Sequence, residues 1–318
     1  VPTWNPSETE GYKQVFALPF WHNGAVVEGD LRGPAARVVM DRALEFIRAA
    51  AADRRPFLAT VWFHEPHEPV VAGPGYRALY GGFSEDEQHY YGCVTAMDEQ
   101  VGRLRRELGR LGIAADTMVF FCSDNGPEGR TGSEKRFRGS TGGLRGRKRS
   151  LFDGGLVVPA VLEWPGRCRG GRVVESPCST LDYLPTIREV LGFEMPDNRP
   201  IDGDSLLGLV EGGKDCRKKP IPFAFHKGSR RGRHGSPALA LVDGRWKLLA
   251  DLTAGSGGEM LFDLHADPGE RDNVIRRFPE TAARMKDRLR RWFDSCRQSH
   301  SGADYPAPFE PVNRFPPA

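Results

Sequence analysis

Nowhere in the sequence is there the run of roughly 20 consecutive apolar residues that a membrane-spanning helix requires. No span is therefore expected. Net charge is also scarce: 45 Lys and Arg stand against 42 Asp and Glu, leaving +3. That excludes a histone-like global attraction to nucleic acid and leaves room only for local basic clusters. Cysteine is sparse, with six residues at positions 93, 122, 168, 178, 216 and 296. These are too few for a disulfide scaffold and follow no metal-ligand spacing. Cys168 and Cys178 are the nearest candidates for pairing, and a set of mostly buried thiols is the equal alternative. Glycine and proline are plentiful, 38 and 25, but without a collagen-like period.

What is present is enough apolar residue, 39% of the chain, to bury a sizeable core. Residues 1–33 show no steady period. Pro34 then opens a helical stretch with Val39, Ala43, Phe46, Ile47 and Ala50 on one face, ending before Pro56. Phe57–Phe63 is an apolar, β-branched run that reads as a strand covered on both faces. Ser84 and Glu87 form a capping box ahead of a long helix, in which Tyr91, Val94, Met97, Val101, Leu104 and Leu108 mark an amphipathic stripe. A second strand is expected at Thr117–Ser123 and a third at Leu156–Leu162. Strand, helix, strand in this order predicts an α/β fold with a largely parallel sheet. From about 216 the pattern changes: two short strands flank Asp243-Gly244, Met260–Leu264 adds another, and Ala282, Met285, Leu289 and Trp292 mark a closing helix. Residues 1–215 and 216–318 are thus expected as a larger α/β domain and a small α+β module.

Three loops carry residues with chemistry. His64-Glu-Pro-His67-Glu-Pro69 follows the first strand; its prolines exclude the helical two-histidine zinc motif. Asp124-Asn125-Gly126 follows the second strand, at the strand end where α/β sheets gather ligands, and it is also the composition of an ordinary turn. Between 129 and 150, eight basic residues (Arg130, Lys135, Arg136, Arg138, Arg145, Arg147, Lys148, Arg149) meet Glu134 alone. That stretch is either a solvated loop or an anion-binding one, its glycines allowing close approach.

In order, these segments resemble the sulfatase family of the alkaline-phosphatase-like superfamily. The resemblance rests on His64-Glu-Pro-His67-Glu-Pro69, Ser123-Asp124-Asn125-Gly126 and Leu144-Arg-Gly-Arg-Lys148 through Gly155. It continues with Val158-Pro159, Trp164-Pro165-Gly166, Leu181-Asp182 through Thr186, Asp202 through Leu206 and Leu261 through Glu270. It covers roughly residues 57–275. It implies hydrolysis of a sulfate ester, of a sulfated carbohydrate or an aryl sulfate, to an alcohol and sulfate. Asp124 and Asn125 match the downstream half of a divalent-cation site, usually Ca²⁺. Lys148 matches the lysine that contacts the sulfate, and His67 the histidine near the leaving group; His64 is left as scaffold. The resemblance also implies a formylglycine nucleophile, installed by a formylglycine-generating enzyme on a cysteine in Cys-x-Pro/Ala-x-Arg, and an extracytoplasmic location.

None of the six cysteines lies in that nucleophile motif, and no basic-then-apolar leader begins the chain. The expectation is a chain holding the downstream part of a sulfatase, inactive alone, with an exposed apolar sheet edge. Asp153 and Val157 stand where many relatives have Glu and Arg. Two alternatives remain: a non-catalytic binder of sulfated glycans using Arg130–Arg149 and Arg230-Arg231-Gly232-Arg233, and a phosphoesterase of the same superfamily.

Overall fold

The computed structural model describes residues 3–4, 20–129, 136, 138–197, 199–213, 217–225, 237–252 and 258–305. The chain divides into two units. The first comprises Val1–Val119, Glu128–Gly139 and Leu162–Gly166; the second comprises Phe120–Pro127, Ser140–Val161 and Arg167–Ala318. The boundary expected at 215/216 falls on residues 214–216, outside the described residues.

The first unit begins with a small hairpin, β1 (Trp21–His22) and β2 (Ala25–Val26), followed by helix α1 (Ala35–Ala52) with Pro34 as its N-cap. The buried face of α1 is Ala36, Met40, Leu44, Ile47 and Ala50, rotated about one position from the expected one. Phe46 is left half exposed because its ring meets the edge of Phe57, 6.2 Å away, instead of entering the core. The short α2 (Pro74–Ala78) and the long α3 (Glu85–Arg110) follow, the latter with the expected Ser84–Glu87 capping box.

On α3 small residues are buried, and of the expected apolar stripe Leu108 alone. Gly92, Cys93 and Ala96 lie inside, while Tyr91, Val94, Met97, Val101 and Leu104 are only half covered. Gly92 lets the chain around α2 approach, since a Cβ there would stand 2.9 Å from that of Ala72 and 3.2 Å from the backbone of Tyr76. Charged pairs join α1 and α3: Arg103 to Asp41 at 2.7 Å and Arg48 to Glu107 at 2.8 Å. Hydrogen bonds from Arg110 and then Arg48 hold the Glu107 carboxyl down to about 2.

Phe57–Phe63 forms no strand. Leu58 is 72% and Trp62 84% exposed. An extended segment becomes a strand only when a neighbour takes its backbone hydrogen bonds, and among the described residues none does. Of the three strands expected for the sheet, β3 (Val119–Cys122) and β4 (Ala160–Glu163) pair as two strands. The third was expected at Leu156–Leu162, but its first part is taken by the short helix α4 (Asp153–Leu156), so β4 starts later.

Within the second unit, α5 (Tyr183–Leu191) and α6 (Leu207–Val210) precede an antiparallel sheet in the order β5 (Ile221–Ala224), β6 (Leu239–Asp243), β7 (Trp246–Ala250) and β8 (Met260–Asp263). Helix α7 (Pro279–His300) closes it. Asp243 pairs with Trp246, so the hairpin loop is Gly244-Arg245, one residue later than expected, with Gly244 taking the positive φ of 60°.

Alternation along the strands separates two cores. Leu239, Leu241, Leu248, Ala250 and Leu261 pack with Met285, Leu289 and Phe293 of α7. Ala240, Leu249 and Phe262 pack with Leu151 and Phe152 on the other face. A sheet covered on both sides explains why β6 and β7 read as nearly continuous apolar runs. The consequence for the site is direct: the second face is roofed by the loop that carries Lys148.

Candidate active site

Asp124, Asn125 and Lys148 all belong to the second unit. Asp124 is exposed just past β3, and Asn125 is half-buried. Ser123 donates its hydroxyl to the Asn125 carbonyl at 3.0 Å, and the Asn125 amide donates to the Gly126 carbonyl at 3.2 Å. The next residues are laced to the basic loop by main-chain bonds. Gly126 N–H donates to Gly155 O at 2.9 Å, and Lys148 N–H donates to Pro127 O at 3.0 Å. Gly126 is required for this approach, because a Cβ there would stand 2.0 Å from the Gly154 oxygen. The Asp-Asn-Gly segment and the lysine loop are thus one braided piece of backbone.

The described part of the basic loop, residues 138–150, is tied down by hydrogen bonds to its neighbours while Arg145 stays exposed. Gly154 N–H donates to Arg145 O at 2.7 Å, and the Arg145 guanidinium lies 3.8 Å above the Phe152 ring. Lys148 is half-buried, and Arg149 beside it adopts a left-handed φ of 71°. Such a conformation in a residue with a Cβ costs on the order of 1 kcal/mol and persists only where its surroundings enforce it. Further back, Arg138 pairs with Asp86 at 3.2 Å, and Arg136 donates to Val70 O at 3.0 Å. Arg130 and Lys135 lie outside the described residues, as do Arg230, Arg231 and Arg233.

His67 belongs to the first unit and is exposed on its loop. The loop is bent by cis bonds at Glu65-Pro66 and Glu68-Pro69 and closed by His67 N–H donating to His64 O at 2.8 Å. The His67 ring nitrogen Nδ1 lies 2.9 Å from Glu68 O, leaving Nε2 as the other ring nitrogen. The rings of His64 and His67 are 5.4 Å apart. Burial pushes His64 down to about 4, so it is neutral at ordinary pH, and its Nε2 is buried without a partner. Glu65, which the sequence reading passed over, is buried; its Oε1 accepts from Ala36 N–H at the start of α1 at 2.7 Å. Burial raises its carboxyl to about 7.

The donor chemistry can be tested against the implied groups. Asp124 and Asn125 offer carboxylate and amide oxygens, the donors a hard cation takes, but they would supply two of about six to eight oxygens. Among the described residues, no three His, Cys, Asp or Glu side chains gather as a metal site. The cysteines do not fit a formylglycine precursor. Cys93 is buried and its thiol is pushed far up by burial, while Cys122, Cys168, Cys178 and Cys296 stand in unrelated sequence. Cys216 lies outside the described residues.

The sequence reading missed Lys247. It is fully buried, with Nζ 2.5 Å from Asp153 Oδ1 and 2.8 Å from Glu270 Oε1. The only sequence signal was a lysine inside an otherwise apolar strand.

The family model for Sulfatase matches residues 2–193, and that for N-sulphoglucosamine sulphohydrolase, C-terminal, matches residues 146–296. Mouse (Mus musculus) steryl-sulfatase is 33% identical over 307 residues, covering 87% of this chain and 46% of that protein. Arylsulfatase A of Bos taurus is 32% identical over 251 residues, covering 72% of this chain and 46% of that protein. The chain therefore spans about half the length of these curated relatives. The crystal structure of Ps i-CgsB superposes with a TM-score of 0.76 at 23% identity, covering 92% of this chain and 64% of that one, and it supports the same fold. With the Sulfatase model matching more than half of its residues, the chain belongs to the sulfatase family.

Proposed function

We propose that the protein hydrolyses sulfate esters to an alcohol and free sulfate, and that this chain supplies the downstream part of the site. The observation that carries the proposal is the braid of Asn125–Pro127 with Arg147–Gly155, which sets two oxygen donors and a half-buried lysine on one rigid piece of backbone in a sulfatase chain. In this reading Lys148 holds the sulfate as a compact cation, aimed at oxygens whose charge changes during cleavage. Asp124 and Asn125 would hold Ca²⁺, which when bound withdraws charge from the sulfate oxygens. His67 carries a proton for the departing alcohol oxygen. No cysteine of this chain stands in the motif that gives rise to formylglycine.

The substrate class is an organic sulfate, either a sulfated carbohydrate or an aryl sulfate. An extracytoplasmic location and a partnership with the formylglycine-generating enzyme belong to the same proposal. So does a catalytic part reaching to residue 215, followed by the C-terminal module. No helix among the described residues is long and apolar enough to cross a membrane. The binding-only alternative is weakened by Arg136 and Arg138, which are spent on Val70 and Asp86.

The test is to express the whole gene product with formylglycine-generating enzyme and measure release of 4-nitrophenol from its sulfate ester. Lys148→Ala and His67→Ala should each lower turnover by roughly a hundredfold or more with folding retained. Asp124→Ala should raise the Ca²⁺ concentration needed for half-maximal rate. Unchanged turnover in either of the first two variants removes that residue from the mechanism.

A further inference from the structure

Lys247 presents an unusual economy: a fully buried ammonium with two carboxylates, from residues far apart in sequence, on the face of the sheet that carries the basic loop. It projects from β7 on the side of Ala240, Leu249 and Phe262, opposite α7. Asp153, whose Oδ1 it touches, is the first residue of α4 and lies five residues past Lys148. Glu270, its other partner, is fully buried in the turn after β8 and has a positive φ of 54°. Glu270 is bound to the same loop in two further ways. Its Oε2 accepts from Asp153 N–H at 2.6 Å, and its carbonyl accepts from the Arg145 guanidinium at 2.7 Å.

These bonds continue into the site without a break. Asp153 precedes Gly154, whose N–H is bound to Arg145 O, and Gly155, whose O accepts from Gly126 N–H. Lys148 N–H closes the ring on Pro127 O. A chain of hydrogen bonds and adjoining residues thus runs from Lys247 through Asp153 to Gly126 and Lys148.

We infer that Lys247, Glu270 and Asp153 are positioning residues that hold the Arg145–Gly155 loop, and with it Lys148 and the Asp124-Asn125 segment, in working register. The inference rests on the proposed role of Lys148. A buried ion cluster contributes little net stability against an apolar equivalent, because desolvation consumes the Coulombic gain. Its specific effect is geometric: Nζ is satisfied in one arrangement of the two carboxylates, so the loop has one docked position on the sheet. Burial of Glu270 raises its carboxyl while Lys247 opposes that rise, in keeping with one cation shared between two acids.

The test uses the whole gene product and two readouts. In Asp153→Ala, which removes the loop's direct contact with Lys247 but leaves the Lys247–Glu270 pair, amide hydrogen exchange should rise about tenfold in residues 145–156 and 125–126. Exchange in β6–β8 and α7 should stay at the wild-type rate. Turnover of the sulfate ester should fall about tenfold, and the loss should vanish in a Lys148→Ala background, because both changes disable the same group. Lys247→Met should reproduce the loss of turnover and its disappearance in the Lys148→Ala background, while Asp153→Ala is the variant that decides the exchange pattern, because loss of the buried cation also lowers global stability. Uniformly faster exchange across the sheet and α7, or losses that simply add to that of Lys148→Ala, would overturn the inference. If wild type releases no sulfate while the localised exchange appears, the enzymatic reading falls and the mechanical coupling stands.

Discussion

Two buried glutamates, one in each unit, show opposite solutions to the same problem. Glu270 sits with the Lys247 ammonium 2.8 Å away and gives its other oxygen to Asp153 N–H. Glu65 takes only backbone donors, Ala36 N–H at 2.7 Å foremost, and its Oε2 is buried with no hydrogen-bond partner among the described residues. Burial raises both carboxyls, but only at Glu270 does a cation oppose the shift. The same contrast holds for apolar surface. The four-stranded sheet of the second unit is covered on both faces, whereas Leu58 and Trp62 of the first stand in the open. The difference is local: the four-stranded sheet is packed on both faces and its buried glutamate faces a cation, and neither holds for the segment around Glu65.

Removing the cation should have the largest effect. Lys247→Met leaves two buried carboxylates facing each other, and breaking such a cluster costs about 3–5 kcal/mol. Urea unfolding of the purified chain, followed by tryptophan fluorescence, would measure it. A change below about 1 kcal/mol would mean that the two acids are neutral without the lysine, and the contrast with Glu65 would dissolve.

At Glu65 the neutral isostere should act in the other direction, and only above a certain pH. Its folded pKa of about 7 exceeds the ordinary 4.5, so its contribution is intact below 4.5 and is lost as pH rises through 7. Glu65→Gln removes that loss, and its stability relative to wild type should climb by about 2–3 kcal/mol between pH 4.5 and 7.5. His64 opposes this in the wild type. Its pKa falls from 6.5 to about 4, so its contribution is present above 6.5 and is lost as pH falls. The two therefore nearly cancel between pH 4.5 and 6.5, and the variant should expose the histidine's slope alone. A pH-independent difference between variant and wild type would refute the assignment.

The smallest stability effect belongs to the exposed run. Leu58→Lys and Trp62→Ser should alter stability by less than about 0.5 kcal/mol, because neither side chain is packed. Self-association of the isolated chain should nevertheless fall, since an unpaired apolar segment is a template for another. Sedimentation at rising concentration would show it, and unchanged association would place the sticky surface elsewhere.

Much of this was legible from local pattern. The Ser84–Glu87 box starts α3 where it should, α7 follows Ala282, Met285 and Leu289, and the hairpin is displaced by a single residue. These features depend on bonds and contacts between near neighbours in sequence. Leu156–Leu162 misled because Gly154 and Gly155 are pinned by Arg145 and Phe152, so the chain turns through α4 before extending. On α3 the apolar stripe was visible, but close packing selected the small residues Gly92, Cys93 and Ala96 for the interior. Apolar side chains announce themselves, while glycine and alanine at a helix contact do not.

The order of motifs alone determined the family and put forward His67, Asp124, Asn125 and Lys148 as candidates, since residue types at chain-order spacing are a property of the string. Only the tertiary structure could disclose that Lys247 meets Asp153 across 94 positions, or that Gly126 must yield space to Gly154. The reason is physical: a buried charge is tolerated only where distant groups converge on it, and convergence is decided by packing, which no local window contains.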